Sequence, residues 1–150
     1  AVTSSEDKAK IISENGAHKV LLVARGEDFS AAVKEATGGL GADVVIDNVG
    51  SPTFEAARRS LAMGARWIFV GQVTGEFVKL NPAQLFMRDI SIKSAKSTSR
   101  KQLKDALELV QLGQVKPVIT GEMPLSMAHQ AHREVESGRS VGRILLKPGL

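Results

Sequence analysis

Neither cysteine nor tyrosine occurs among the 150 residues. The first absence excludes disulfides and thiolate zinc sites within the chain and fits a reducing compartment, so a cytoplasmic protein is expected. The second removes any tyrosine general base. Histidine is confined to His18, His129 and His132. No apolar run approaches the ~20 residues that span a bilayer, and no signal-peptide pattern opens the chain, so no membrane partner is expected. GxxxxGK is missing, which excludes a P-loop. The near-match "GLGADV" has Val44 where the third glycine of GxGxxG belongs, and it precedes a strand instead of following one. The net charge of +4 is spread among acids, with no interleaving of arginine and aromatic residues; nucleic acid is not an expected partner.

What is present is an alternation. Hydrophobic residues make up 43% and charged residues 24%, an ordinary globular balance with enough apolar surface for a real core. Short continuous apolar runs, the mark of parallel strands buried on both faces, occur at "KVLLV" (19–23), "DVVID" (43–47), "RWIFVG" (66–71) and "RILLK" (143–147). "AVT" reads as the end of a further strand. "ISIKSA" alternates instead, with Lys93 facing away from Ile90 and Ile92, which suits an edge strand.

Helical segments lie between the strands. Ser4 and Ser5 can cap a helix through about Glu14, which Asn15 and Gly16 stop. "FSAAVKEAT" ends at a glycine cluster. Ser51 and Pro52 give a cap followed by proline at the first helical position, opening a helix expected to run to about Met63. Asn81 and Pro82 repeat the device. Residues 98–112 form an amphipathic helix, the extended "VKPVITGEMPL" follows, and a last helix runs from about Ser126 to Gly138. The pattern predicts an α/β fold with a parallel sheet and right-handed crossovers over residues 1–97, and a separate unit over residues 98–150.

In open parallel sheets, ligands bind beyond the carboxyl ends of the strands. Those ends offer Thr3, Ser4 and Ser5; Ala24, Arg25 and Gly26; Asp47, Asn48, Val49 and Gly50; and Gly71, Gln72 and Val73. Where a mononucleotide fold holds NAD, an acid at the first of these positions accepts the ribose 2′-hydroxyl. Here hydroxyls and helix N–H groups stand there, donors that suit a 2′-phosphate, with Lys8 one turn on. A lysine in a first helical turn costs about 0.3–1 kcal/mol against the macrodipole, so its placement hints at a ligand. The competing reading is a plain cap and a surface lysine, and Glu6 and Asp7 favour it. Asn48 and Gly50 either line a ligand or form a tight turn. His129 and His132, three apart on the last helix, read as a solvated face and not as a metal pair.

Five stretches in order, "AVTSSEDKAKII", "DVVIDNVGSPTF", "SLAMGARWIFVG", "VKPVITGEMPLSMA" and "SGRSVGRILLKP", resemble the medium-chain dehydrogenase/reductase superfamily. The likeness is to its zinc-type alcohol dehydrogenases and its quinone or acryloyl-coenzyme A reductases, and it covers essentially the whole chain. It implies a Rossmann-type parallel sheet whose first strand and GxGxxG turn would precede Ala1, as would the catalytic domain with any zinc. Residues 98–150 would return to pack on that domain. The implied function is an oxidoreductase using NADP, with NAD the alternative, on an alcohol, aldehyde, quinone or enoyl substrate.

The resemblance maps Ser4, Ser5 and Lys8 to the 2′-phosphate end. It maps Asn48, Val49 and Gly50 to the ribose and nicotinamide side, and Gly71 and Gln72 to the nicotinamide end. No residue present matches a catalytic or metal-binding position. It also implies a homodimer or homotetramer joined through the edge strand from Ile90 to Ala95. Two other readings stay open: a dinucleotide-binding module without catalysis, and a methyltransferase-like nucleotide binder in which Asp47 grips ribose hydroxyls.

Overall fold

A computed structural model describes residues 1–95, 97–138 and 140–149; Arg139 of the "SGRSVGRILLKP" stretch lies outside them. The chain divides into two compact units, Ala1–Ser97 and Thr98–Leu150.

The first unit runs β1 (Val2–Thr3), α1 (Glu6–Glu14), β2 (Leu21–Leu22), α2 (Ser30–Ala36), β3 (Ala42–Asp47), a 3-10 turn (Ser51–Thr53), α3 (Phe54–Ser60), β4 (Leu61–Phe69), α4 (Ala83–Phe86) and β5 (Ser91–Ser94). Every strand pairing in it is parallel. β1 lies beside β2, with Val2 opposite Leu21. The other strands form a sheet in the order β3-β4-β5, with Val45 opposite Trp67 and Trp67 opposite Ile92. Strand–helix–strand alternation with parallel pairing is the α/β class that the sequence predicts.

Three expectations need correction. Residues 20–23, 44–46 and 68–70 are expected in one parallel sheet; the pairing is parallel, but β2 belongs to the β1–β2 pair and β3 and β4 to the other sheet. Among the described residues, β1 and β3 each keep one edge without a ladder partner. Burial on both faces is also not met. Val45 and Asp47 point into the core, whereas Val44 and Ile46 are 42% and 70% exposed, because only the α3 side of this sheet carries the packed cluster.

The third correction is the helix expected to reach Met63, which ends at Ser60. Its residues are good helix formers, and the stop is tertiary. A Cβ on Gly41 would lie 2.6 Å from the Ser60 carbonyl oxygen and 2.8 Å from the Leu61 carbonyl carbon. The two backbones touch there, and Leu61 turns extended (φ −65°, ψ 143°) to pair with Ala42. Leu61 is fully buried, worth about 1.5–3 kcal/mol for such a side chain. The ladder then slips between Ala42 and Val44 before it resumes at Arg66. The Arg88 guanidinium donates to the Leu61 carbonyl across this irregular stretch.

The core is Phe54, Ala57, Leu61, Ala65 and Trp67, with Phe29, Val45, Phe69, Leu80 and Ile90 packed against it. Trp67 stands 4.7 Å from both Phe54 and Phe69, centroid to centroid, and such pairs add about 0.5–1.5 kcal/mol each beyond area burial. This cluster anchors α3 to β3 and β4, and so sets the position of their carboxyl ends.

The second unit contains α5 (Arg100–Gln111), β6 (Ile119–Pro124), a 3-10 turn (Leu125–Met127), α6 (Ala128–Glu136) and β7 (Arg143–Lys147). Ser99 caps α5 in a reciprocal box with Gln102. The stretch expected to be extended is β6, which pairs in parallel with β7. Among the described residues, no helix is long and apolar enough to cross a membrane.

Candidate functional site

Beyond the carboxyl ends of the first unit's strands lies a cavity of about 680 Å³. Thr3, Ser4 and Lys8 line it from the end of β1 and the start of α1. Residues 23–27 and Phe29 line it from beyond β2, Asn48, Val49, Pro52 and Thr53 from beyond β3, and Val73 and Thr74 from beyond β4. Four strand ends therefore share one concavity, the arrangement by which an open α/β sheet holds a ligand.

At the β1 end, Ser5 is the N-cap of α1. Its hydroxyl accepts from the Lys8 N–H at 3.4 Å, and the Thr3 hydroxyl accepts from the Ser5 N–H at 3.4 Å. Both contacts are longer than the usual 2.7–3.2 Å for N–H···O bonds. Ser4 and Lys8 face the cavity; Ser5 stands behind them.

The β3 end is held much more tightly. The side chain of Asp47 is buried, at 5% exposure. Its Oδ1 accepts from the backbone N–H of Val49 at 3.0 Å and of Gly50 at 2.8 Å, and its Oδ2 accepts from the Trp67 indole N–H at 3.3 Å. This corrects the reading in which Asp47 grips ribose hydroxyls: the carboxylate points inward and staples the loop 48–50. The staple presents Asn48 and Val49 to the cavity. Gly50 lies behind them at φ 80°, ψ −129°, a backbone region open in practice only to glycine.

Gly71 and Gln72 form the β4 end and also stand behind the wall. A Cβ on Gly71 would come within 3.0 Å of the Asn48 carbonyl oxygen, so the chains approach closely there. The Gln72 carboxamide turns toward the start of the Ser51–Thr53 turn, where its Oε1 accepts from the Ser51 N–H at 2.9 Å. Of the eight residues mapped to the cofactor from sequence, Ser4, Lys8, Asn48 and Val49 line the cavity, whereas Ser5, Gly50, Gly71 and Gln72 are not among its lining residues.

Glu27, Phe29, Pro52, Thr53 and Thr74 were not singled out. Pro52 and Thr53 read in sequence only as a helix start, and Phe29 only as the opening of the "FSAAVKEAT" helix. The segment after β2 is steadied by Asp28, whose carboxylate accepts from the Ser30 N–H at 2.8 Å and from Arg59 at 2.7 Å. Hydrogen bonding from Ser30 first, then the Arg59 charge, lowers the Asp28 pKa below its ordinary range. Among the described residues, no three His, Asp or Glu side chains gather where they could hold a metal ion, so no zinc site is assigned to this part of the chain.

The sequence pattern of the zinc-binding dehydrogenases matches residues 15–146. An acryloyl-coenzyme A reductase of Sulfurisphaera tokodaii is 33% identical over 148 residues, which cover 98% of this chain and 42% of that protein. A crystal structure described as an NAD-dependent alcohol dehydrogenase superposes with a TM-score of 0.90 at 33% identity, over 99% of this chain and 43% of that one. A mycobacterial protein solved with NADPH gives a TM-score of 0.80 at 26% identity, over 98% of this chain and 49% of that one. The chain thus spans less than half the length of each of these proteins.

Proposed function

Because this chain belongs to the zinc-binding dehydrogenase family of the medium-chain dehydrogenases and reductases, we propose that it forms the cofactor-holding part of an oxidoreductase that prefers NADPH. The observation that carries the reading is the single cavity over four parallel strand ends, with hydroxyl donors and Lys8 at its β1 end.

The residues present fit a dinucleotide. Ser4, the cap region at Ser5 and the Lys8 ammonium supply donors and positive charge for a 2′-phosphate. Asn48, Val49 and Gly50 supply a stapled backbone edge for the ribose on the nicotinamide side, and the close approach at Gly71 keeps that end shallow. When bound, the nicotinamide cofactor supplies the hydride chemistry; the residues here bind and orient it, and none is assigned a catalytic role. The proposed substrate is an alcohol or aldehyde, a quinone or an activated alkene. Residues 98–150 are proposed to pack against the part of the protein that holds it.

A good charge-assisted hydrogen bond contributes roughly 1.5–3 kcal/mol, and Glu6 and Asp7 offset part of that by repulsion. The expected preference for NADPH over NADH is therefore about tenfold to a hundredfold, roughly 1.4–2.8 kcal/mol. In the full-length protein, Lys8→Ala should weaken NADPH binding and leave NADH nearly unchanged, as read by fluorescence titration of both cofactors. Equal losses for the two would reduce the stretch to a capped helix start.

A further inference from the structure

The groups that surround Gln72 give it a role different from ligand contact. Its Nε2 donates to the Ser51 hydroxyl at 2.5 Å and to the Glu76 carbonyl at 3.2 Å, while its Oε1 accepts from the Ser51 N–H at 2.9 Å. The Ser51 hydroxyl donates in turn to the same Glu76 carbonyl at 2.5 Å. A carboxamide has two N–H donors, so both protons of Gln72 are committed within the chain. One side chain thus ties the start of the 3-10 turn to the far side of the loop beyond β4.

That loop has little else to hold it. Phe77 projects fully into solvent, and Val73 is 70% exposed. Among the described residues, the one backbone bond from its near side runs from the Val73 N–H to the Val49 carbonyl at 2.9 Å. Space for the tie exists only because residue 50 is glycine: a Cβ there would lie 2.4 Å from Gln72 Oε1 and 2.9 Å from its Cδ.

We infer that Gln72 is a positioning residue, a latch that holds the loop 73–77 against the Ser51 turn so that Val73 and Thr74 wall the β4 end of the cavity. The inference rests on the proposed function for what that wall does, which is to restrict the nicotinamide half of a bound dinucleotide. Among the described residues, the latch bonds reach Ser51 and Glu76 and no group at the β1 end, so the two halves of the ligand should respond differently to its loss.

The test uses the full-length protein and three variants. Gln72→Met keeps the length and removes every bond. Gln72→Glu keeps the acceptor for Ser51 N–H but sets a carboxylate against the Glu76 carbonyl. Ser51→Ala removes the hydroxyl relay and leaves the bond to its N–H. The probes are NADPH and 2′,5′-ADP, its adenosine half, together with amide deuterium exchange over residues 72–78. Gln72→Met should weaken NADPH about tenfold, leave 2′,5′-ADP within twofold and speed exchange of the Val73 amide. Gln72→Glu should act alike, and Ser51→Ala should fall between it and the wild type. Unchanged exchange over 72–78, or equal losses for NADPH and 2′,5′-ADP, would overturn the latch. A wild-type protein that binds neither probe would defeat the proposed function instead, and the exchange comparison would still decide whether the latch exists.

Discussion

Replacing Asp47 by asparagine asks whether the carboxylate at the end of β3 staples or binds. In the wild type it holds three donors: the Val49 and Gly50 N–H groups on Oδ1 and the Trp67 indole N–H on Oδ2. Asparagine can keep its carbonyl on the two backbone donors, now as neutral bonds worth about 1 kcal/mol each where charged ones are worth about 1.5–3. Its NH2 group then meets the Trp67 N–H, donor against donor, and a buried unsatisfied donor costs about 1–3 kcal/mol. Less desolvation of the neutral side chain offsets part of this.

The net expectation for Asp47→Asn is a loss of about 2–4 kcal/mol of local stability. In a protein of several units a global unfolding midpoint is a poor ruler. Amide exchange of Val49 and Gly50 in the full-length protein reads the staple directly, each 1.4 kcal/mol appearing as about a tenfold faster exchange. Adding Trp67→Phe removes the opposing donor, so the double variant should exchange more slowly than the sum of the two single effects requires. The reasoning fails if Asp47→Asn leaves both amides protected while NADPH affinity falls more than tenfold. Asp47 would then be a ligand contact after all.

Two more outcomes follow from other parts of the fold. Asp28 has a folded-state pKa lowered by Ser30 and Arg59, so the stabilisation it contributes is present above the unfolded value of about 3.9 and is lost as pH falls through the lower folded value. Asp28→Asn should therefore flatten the acid limb of local exchange at Ser30 below about pH 4, and an unchanged limb would count against it. The second concerns association. The Ala95 N–H donates to Phe69 across the β4–β5 ladder, so by alternation the Ser94 N–H points to the open edge of β5. If two copies pair along residues 90–95 about a two-fold axis, Ser94→Pro should keep the strand yet halve the sedimenting mass of the full-length protein. An unchanged mass would remove that edge from the assembly.

How much of this was legible depends on whether a signal was local. The amphipathic helix after Thr98 and the apolar runs of β3 and β4 act through a few neighbouring residues, and the sequence reading placed them correctly; at the Ser51–Pro52 start it placed the turn but not the cap, which is Gly50, while the Ser51 hydroxyl donates to Glu76. The end of α3 did not read out, because nothing in "ARRSLAM" breaks a helix and the stop comes from Gly41, about twenty residues away. Asp47 and Gln72 failed for a related reason. A polar residue at a strand end has the same local signature whether it faces a ligand or folds back to hold its own loop. The difference lies in Trp67 for the one and in Ser51 and Glu76 for the other. The halving of the sheet was equally invisible, since apolar runs state that strands exist and not which edge each finds.

The two ends of the cavity are built to different tolerances, and that contrast bears on how selectivity and orientation divide between them. At the β3–β4 end Asp47 takes three donors and Gln72 commits both of its own, so the wall is ordered before a ligand arrives and binding there has little conformational entropy left to lose. At the β1 end the Ser5 N–H rests on a Thr3 hydroxyl contact of 3.4 Å, which a phosphate oxygen can replace at little cost. Under the proposed function, a change at Thr3, Ser4 or Lys8 alters which dinucleotide is preferred without disturbing the fold. A change at Asp47, Gly50 or Gln72 loosens the wall for NADPH and NADH alike. On that proposal, discrimination sits at the β1 end and orientation sits where Asp47 and Gln72 bond the chain to itself.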